Sequence, residues 1–142
     1  MLFVTSGLRL AELHQLNRDS INVERKEQSD GSIRVLGSGS VIGKGNKERV
    51  FLTDFPTLQV LGDYLRTRHD TCNALFISNR RIRLSRREIQ YVLERWCKRL
   101  ALPPFFCHAL RHTYATRLAN AGLPSITLKD LMGHASFDTT QG

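Results

Sequence analysis

The chain has 142 residues, enough for one domain with a real core. It carries 21 Lys and Arg against 13 Asp and Glu, a net charge of +8, and an excess of that size in a small domain points to nucleic acid as partner. No run of about 18 apolar residues occurs, which argues against a membrane span. Cys72, Cys97 and Cys107 are an odd number without CxxC spacing, so the sequence reads as a reduced, cytoplasmic protein without a disulfide framework.

The N-terminus, MLFVTSGLRLAEL, lacks the basic lead and small-residue cleavage site of a signal peptide. Its abrupt entry into an apolar stretch, with no cap, predicts a further segment upstream. A first helix is expected over Thr5 to Leu16, with Leu13 and Leu16 facing inward. Ser20–Arg25 and Ile33–Leu36 read as strands around the turn-like Gln28 to Ser32, and Gly43 to Glu48 as a hairpin turn between Ser40–Ile42 and Arg49–Leu52. Pro56 leads into a helix over Thr57 to Arg68. Ser85 and Glu88 form an S-x-x-E capping box, after which Ile89, Val92, Leu93, Trp96, Cys97 and Leu100 keep the spacing of a buried stripe. A helix from His108 to Ala121 stops at Gly122, and a short one from Ile126 to Met132 stops at Gly133. The fold class is therefore α+β, mainly α-helical with a small antiparallel sheet, in one domain over residues 1–142.

Several residues carry more than packing. Arg9 and Glu12 share a helix face at i, i+3; taken alone they are a surface ion pair of little worth. Lys44, Lys47 and Arg49 lie in or beside a glycine-flanked basic hairpin, either a solvated turn or a device for reaching a DNA groove. His108 and Arg111 also stand at i, i+3, while Leu110, Tyr114 and Leu118 make the neighbouring core stripe. That stripe assigns Tyr114 to packing, and Tyr64 and Tyr91 fall within helix patterns. His134 follows Gly133 at a helix end, where a lone histidine is ordinarily a surface or capping residue. His108 and His112 have H-x3-H spacing, but without a CxxC pair the sequence gives no metal site. Arg80, Arg81 and Arg86 belong to a basic run entering a helix N-terminus, which suits contact with a phosphate backbone.

Four segments, TSGLRLAEL (Thr5 to Leu13), VIGKGNKERV (Val41 to Val50), HALRH (His108 to His112) and LMGHASFDTTQG (Leu131 to Gly142), occur in the order found in tyrosine recombinases, the phage integrases, and the wording resembles the Xer-type members. The resemblance covers Thr5 to Gln141 and implies the recombinase catalytic-domain fold. It implies a site-specific recombinase or integrase, of a mobile element among other settings, that cuts and rejoins double-stranded DNA through a 3′-phosphotyrosyl intermediate without cofactor or metal. By position, Arg9, Arg111 and His134 would hold the phosphate, Lys44 would protonate the leaving 5′ oxygen, and His108 would assist, with Glu12 and His112 in support. Paired guanidiniums suit a phosphodiester because each can bind two oxygens in plane.

Four departures from the pattern stand out. The nucleophilic Tyr is expected just beyond Gly142, so the chain as given is expected to be inactive in strand cleavage. The segment after that Tyr and the N-terminal DNA-clamping domain are expected to lie outside residues 1–142, and the Asp19–Lys44 stretch is longer than in compact relatives. A full-length parent would act as a tetramer on two duplexes. Two other readings stay open: a non-catalytic DNA-binding relative, and a variant whose nucleophile comes from a neighbouring protomer.

Overall fold

The computed structural model describes residues 1–104 and 107–133. Helices α1 (Leu2–Ser6) and α2 (Leu10–Gln15) come first, then strands β1 (Asn22–Glu27), β2 (Ile33–Ile42) and β3 (Glu48–Asp54). Helices α3 (Phe55–Arg66), α4 (Arg86–Arg99), α5 (Cys107–Asn120) and α6 (Ser125–Met132) follow. The strands form one antiparallel sheet in the order β1-β2-β3. The expected class, mainly helical with a small antiparallel sheet, is the one observed.

The expected helix from Thr5 to Leu16 is instead two helices. Gly7 adopts a left-handed backbone (φ 61°) and Arg9 an extended one, so α1 stops and α2 starts within three residues. Arg9 therefore sits at the mouth of α2 rather than along a helix face. Glu12, in its first turn, accepts the Arg9 backbone N–H at 2.7 Å, as a capping carboxylate does. Leu13 and Leu16 do face inward, beside Leu8, which is fully buried.

The two strands expected on either side of Gly37–Gly39 are one. Thr53 and Leu58 fill the space where a Gly37 side chain would project, and the Phe51 ring fills that at Gly39. Glycine is thus the residue that lets β2 run unbroken beneath its neighbours. Alternate β3 residues Arg49, Phe51 and Thr53 point into the domain. All of β1 is exposed, so the β1–β2 hairpin projects from the body.

Helix α3 begins earlier than expected because Asp54 accepts the Thr57 N–H at 3.0 Å, with Pro56 at the first turn. The Ser85–Glu88 capping box is present: the Glu88 N–H reaches the Ser85 hydroxyl at 3.2 Å and the Ser85 N–H reaches Glu88 at 2.7 Å. The apolar stripe that follows is only half used. Ile89 and Cys97 are buried and Leu93 is partly so, but Val92, Trp96 and Leu100 are exposed. Only one strip of α4 meets α2, and Trp96 instead lies under the Arg99 guanidinium, 5.3 Å from the ring centroid.

The main core gathers Leu2, Phe3, Leu8, Leu13, Phe51 and Leu75. A smaller cluster of Tyr114, Leu128 and Met132 joins α5 to α6. Tyr114 is a packing residue, as its stripe predicts, with its ring against Gly7. Residues 67–75 are pinned by a buried ion pair of Arg68 with Asp70, which Arg18 joins at 2.8 Å. Among the described residues no helix is long and apolar enough to cross a membrane.

A candidate phosphate-binding site

The left-handed turn at Gly7 ends α1 early and leaves its carbonyl without a helical partner. Two guanidiniums take it: Arg111 Nη1, and Arg49 Nη2 at 3.3 Å. A side chain at residue 7 would collide with the Tyr114 ring, so glycine is required by both backbone and space. Leu8 then anchors the elbow in the core and leaves Arg9 half exposed at its tip.

Beneath the elbow lies Glu12, 2% exposed. It accepts Arg49 Nη2 at 2.5 Å and Nε at 3.2 Å, and Arg9 Nη1 at 2.9 Å. Burial raises the Glu12 pKa, but the Arg49 hydrogen bonds, the Arg9 backbone N–H and the two arginine charges outweigh it, holding the carboxyl below its ordinary value. Arg111 is also 2% exposed, and burial, then the neighbouring Arg9 and Arg49 charges, draw its pKa down to about 10. It stays protonated at neutral pH. Three guanidiniums around one carboxylate leave an excess of positive charge at the site.

The same arginines hold the end of α6. Arg49 Nη1 donates to the Leu131 carbonyl at 2.6 Å, Arg111 Nη2 to that of Met132, and Arg9 Nη2 to that of Gly133 at 3.3 Å. Three successive carbonyls at a helix C-terminus, the negative end of its dipole, thus each receive a different arginine. Gly133 is left-handed (φ 59°), and any side chain there would strike the Arg49 stem.

Arg9 lies at the junction of two surface concavities. One, of about 870 Å³, runs between the β2–β3 hairpin and α6 and is lined by Arg9, Lys44, Lys47, Thr127 and Lys129. The other, of about 350 Å³, lies between α2, α4 and α5 and is lined by Arg9, Arg86, Gln90, His108 and Arg111. The hairpin closes through the Gly43 N–H to the Lys47 carbonyl at 2.8 Å, with Gly45 and Asn46 left-handed, and this puts Lys44 at an exposed tip.

Of the residues expected at a site, Arg9, Lys44, Lys47, Arg49, Arg86, His108 and Arg111 line these concavities, and Glu12 lies beneath them. His112 is exposed on α5 and lines neither. Arg80 and Arg81 are exposed on a second small hairpin, closed by the Ser78 N–H to the Ile82 carbonyl, with Arg81 left-handed (φ 60°). His134 lies outside the described residues. Arg49 departs from expectation: its guanidinium is buried and spent on Glu12, Gly7 and Leu131 rather than offered to a phosphate at the surface. Its place in the alternating Arg49–Phe51–Thr53 pattern carried that signal. Gln90, Thr127 and Lys129 join the concavities without a distinguishing mark in the sequence. Among the described residues, no group of three or more His, Cys, Asp and Glu side chains is arranged to hold a metal ion.

A small antiparallel sheet packed among helices, with an arginine elbow facing a basic hairpin, is the fold of the tyrosine recombinase catalytic domain. Over residues 1–142 the chain matches the phage integrase family, and it belongs to that family. It is 38% identical to the tyrosine recombinase XerC of Shewanella amazonensis, over 99% of this chain and 45% of that protein. With XerC of Haemophilus ducreyi the identity is 37%, over 99% and 44%. The chain thus spans a little under half the length of these relatives. The crystal structure of XerA recombinase superposes with a TM-score of 0.78 at 26% identity, covering 95% of this chain and 47% of that one. XerH bound to its difH substrate, a pre-cleavage complex, shares the fold with a TM-score of 0.76 at 24% identity, covering 95% of this chain and 38% of that one.

Proposed function

We propose that the chain is the catalytic domain of a site-specific DNA recombinase that cuts and rejoins strands through a 3′-phosphotyrosyl intermediate. The observation that carries this reading is the position of Arg9, which lines one concavity with Arg111 and His108 and the other with Lys44. A scissile phosphodiester over that junction meets Arg9 and Arg111, whose guanidiniums stabilise the charge of a pentacoordinate transition state by preorganised hydrogen bonding. For Arg111 this means exchanging a carbonyl partner for the phosphate. Lys44, at the hairpin tip, donates a proton to the departing 5′ oxygen, and His108 assists from α5 by hydrogen bond or proton transfer. His134 is assigned to the phosphate by motif alone, and His112 to support from α5. The chemistry is transesterification, so the phosphotyrosyl link conserves the bond energy for rejoining.

The chain's own tyrosines are poor nucleophiles. Tyr114 is packed against Gly7, the Tyr64 hydroxyl meets Arg68 and the Ile77 N–H, and Tyr91 points outward from α4; none lines either concavity. The nucleophile in this reading is a tyrosine outside residues 1–142, carried by a longer parent or by a neighbouring protomer. That parent adds an N-terminal domain that clamps the DNA, works in the cytoplasm, and forms a tetramer on two duplexes. Lys47, Arg80, Arg81 and Arg86 contact the backbone of double-stranded DNA without reading sequence. The length of the XerC relatives and the DNA complexes among the related folds, such as the Tn1549 transposon integrase with circular intermediate DNA (TM-score 0.68, 20% identity), support this reading.

Two experiments test it. The 142-residue chain should bind mixed-sequence duplex with an affinity that falls steeply with salt, by a log–log slope of about −0.9 for each phosphate neutralised. Tight binding that survives high salt counts against it. On a nicked duplex, a full-length parent should trap a covalent protein–DNA adduct, and Arg111→Ala should abolish it. A normal adduct yield from that variant removes Arg111 from the site, and a parent that binds DNA but never forms an adduct is a binding-only relative.

A further inference from the structure

Arg49 differs from the other basic residues of the β2–β3 segment. Its side chain is 5% exposed, against 26% for Arg9, and although it borders the larger concavity, all three of its guanidinium nitrogens are engaged inside the domain. Its contacts are internal: both Glu12 oxygens, the Gly7 carbonyl and the Leu131 carbonyl. Glu12 is the carboxylate in contact with Arg9 and Arg49, and its two oxygens are divided unequally between them. The Arg49 guanidinium engages both, whereas the Arg9 guanidinium reaches only Oε1 and leaves Oε2 to its own uncharged backbone N–H.

That division has an electrostatic consequence. A carboxylate facing a single guanidinium forms a paired, largely neutral unit, and a phosphate must then compete with it for the same N–H groups. A carboxylate already neutralised by a second, buried guanidinium keeps its hydrogen bond to the first without cancelling its charge. The cluster includes Arg9, Arg49 and Arg111 against Glu12 alone, so two positive charges remain after the carboxylate is matched. Arg49, fixed on four acceptors and backed by Gly133 against its stem, is the member placed to do the matching.

We propose that Arg49 is a positioning residue that neutralises Glu12, leaving the charge of Arg9 open to the phosphate in the cleft. This rests on the phosphate-binding reading above and adds to it a buried residue that touches no DNA. It separates two tasks that one carboxylate cannot perform alone. Glu12 orients Arg9 by accepting its backbone and side-chain N–H groups, and Arg49 keeps that orientation from costing Arg9 its charge.

The test compares the 142-residue chain with Arg49→Met, Arg49→Lys and the double variant Arg49→Met with Glu12→Gln. The measurement is anisotropy of a short labelled duplex at two salt concentrations, with circular dichroism to establish folding. Arg49→Met, leaving Glu12 to Arg9, should weaken binding by about tenfold or more, as expected for loss of a charge-assisted contact. The double variant, which removes the carboxylate charge as well, should recover most of that loss. Arg49→Lys, which keeps the charge beside Glu12, should bind within about threefold of the parent chain.

A folded Arg49→Met that binds like the parent overturns the proposal. So does a folded double variant as weak as Arg49→Met, since the loss would then not come from the charge of Glu12. Should Arg49→Met fail to fold, Arg49→Lys and the double variant decide: binding tenfold or more below the parent by both overturns the idea, and retention by both supports it. A parent chain that binds no duplex overturns the phosphate-binding reading itself, and this inference with it.

Discussion

The Gly7 elbow offers a quantitative test of how the site is held. In Gly7→Ala, the left-handed backbone (φ 61°) costs an L-residue roughly 1–2 kcal/mol. The added Cβ would also lie 2.4 Å and 2.7 Å from two ring carbons of Tyr114 and 3.3 Å from the Met132 sulfur. Tyr114 is buried in the α5–α6 cluster and cannot swing away, so this overlap adds about 1–3 kcal/mol of overpacking. The sum, roughly 2–5 kcal/mol, is a large part of the 5–15 kcal/mol typical of a domain. At about 2–4 °C per kcal/mol for a chain near this size, Tm should fall by roughly 4–20 °C. Gly31→Ala is the internal control, because Gly31 is also left-handed (φ 80°) but has nothing within 4 Å of a new Cβ. It bears only the backbone cost, and the gap between the variants in thermal unfolding followed by circular dichroism isolates the collision. Equal Tm values for the two variants would refute the argument, since the elbow would then yield without cost. Duplex affinity should also drop in Gly7→Ala alone, because the Gly7 carbonyl seats both Arg111 and Arg49.

Phe51 is 1% exposed at the centre of β3, and Phe51→Ala should lower stability by about 3–5 kcal/mol in urea unfolding. Arg81 occupies a left-handed position without being glycine, so Arg81→Gly should raise stability by roughly 1 kcal/mol while weakening duplex binding and flattening its salt dependence. A simultaneous loss of stability would remove the strain argument. The Arg68 hydrogen bond holds Asp70 well below the usual carboxylate range. A depressed carboxylate stabilises the fold above its unfolded pKa of about 3.9, and that contribution is lost as pH falls through the lower folded value. The urea midpoint of the parent should therefore fall steeply below about pH 4, and that of Asp70→Asn less so. Identical acid limbs would show that Asp70 does not couple folding to protons.

Much of the helical part was legible because its signals are local. The Ser85–Glu88 box, the glycine stops at Gly122 and Gly133, and the inward Leu13 and Leu16 each depend on a few neighbouring residues. The break at Gly7 was not, since TSGLRLAEL has good helical spacing and glycine alone does not end a helix. What ends it is tertiary: Arg49 and Arg111 claim the freed carbonyl, and Tyr114 occupies the space beside it. The α4 stripe misled for a related reason, because periodicity marks an apolar face and says nothing of whether a partner covers it. Motif order singled out Arg9, Lys44, His108 and Arg111, which line the two concavities, while the burial of Arg49 required reading β3 in pairs rather than as a basic run.

The β1–β2 hairpin suggests a use in the laboratory. Its tip is exposed, every β1 residue faces solvent, and Gly31 has empty space around it. A reporter joined at Asp30 or Gly31 would perturb no core contact, since insertions are best tolerated where backbone and side chains are free of packing. A fluorophore there could be attached without touching a residue of either concavity, giving a handle for following single molecules as they meet, hold and leave a duplex.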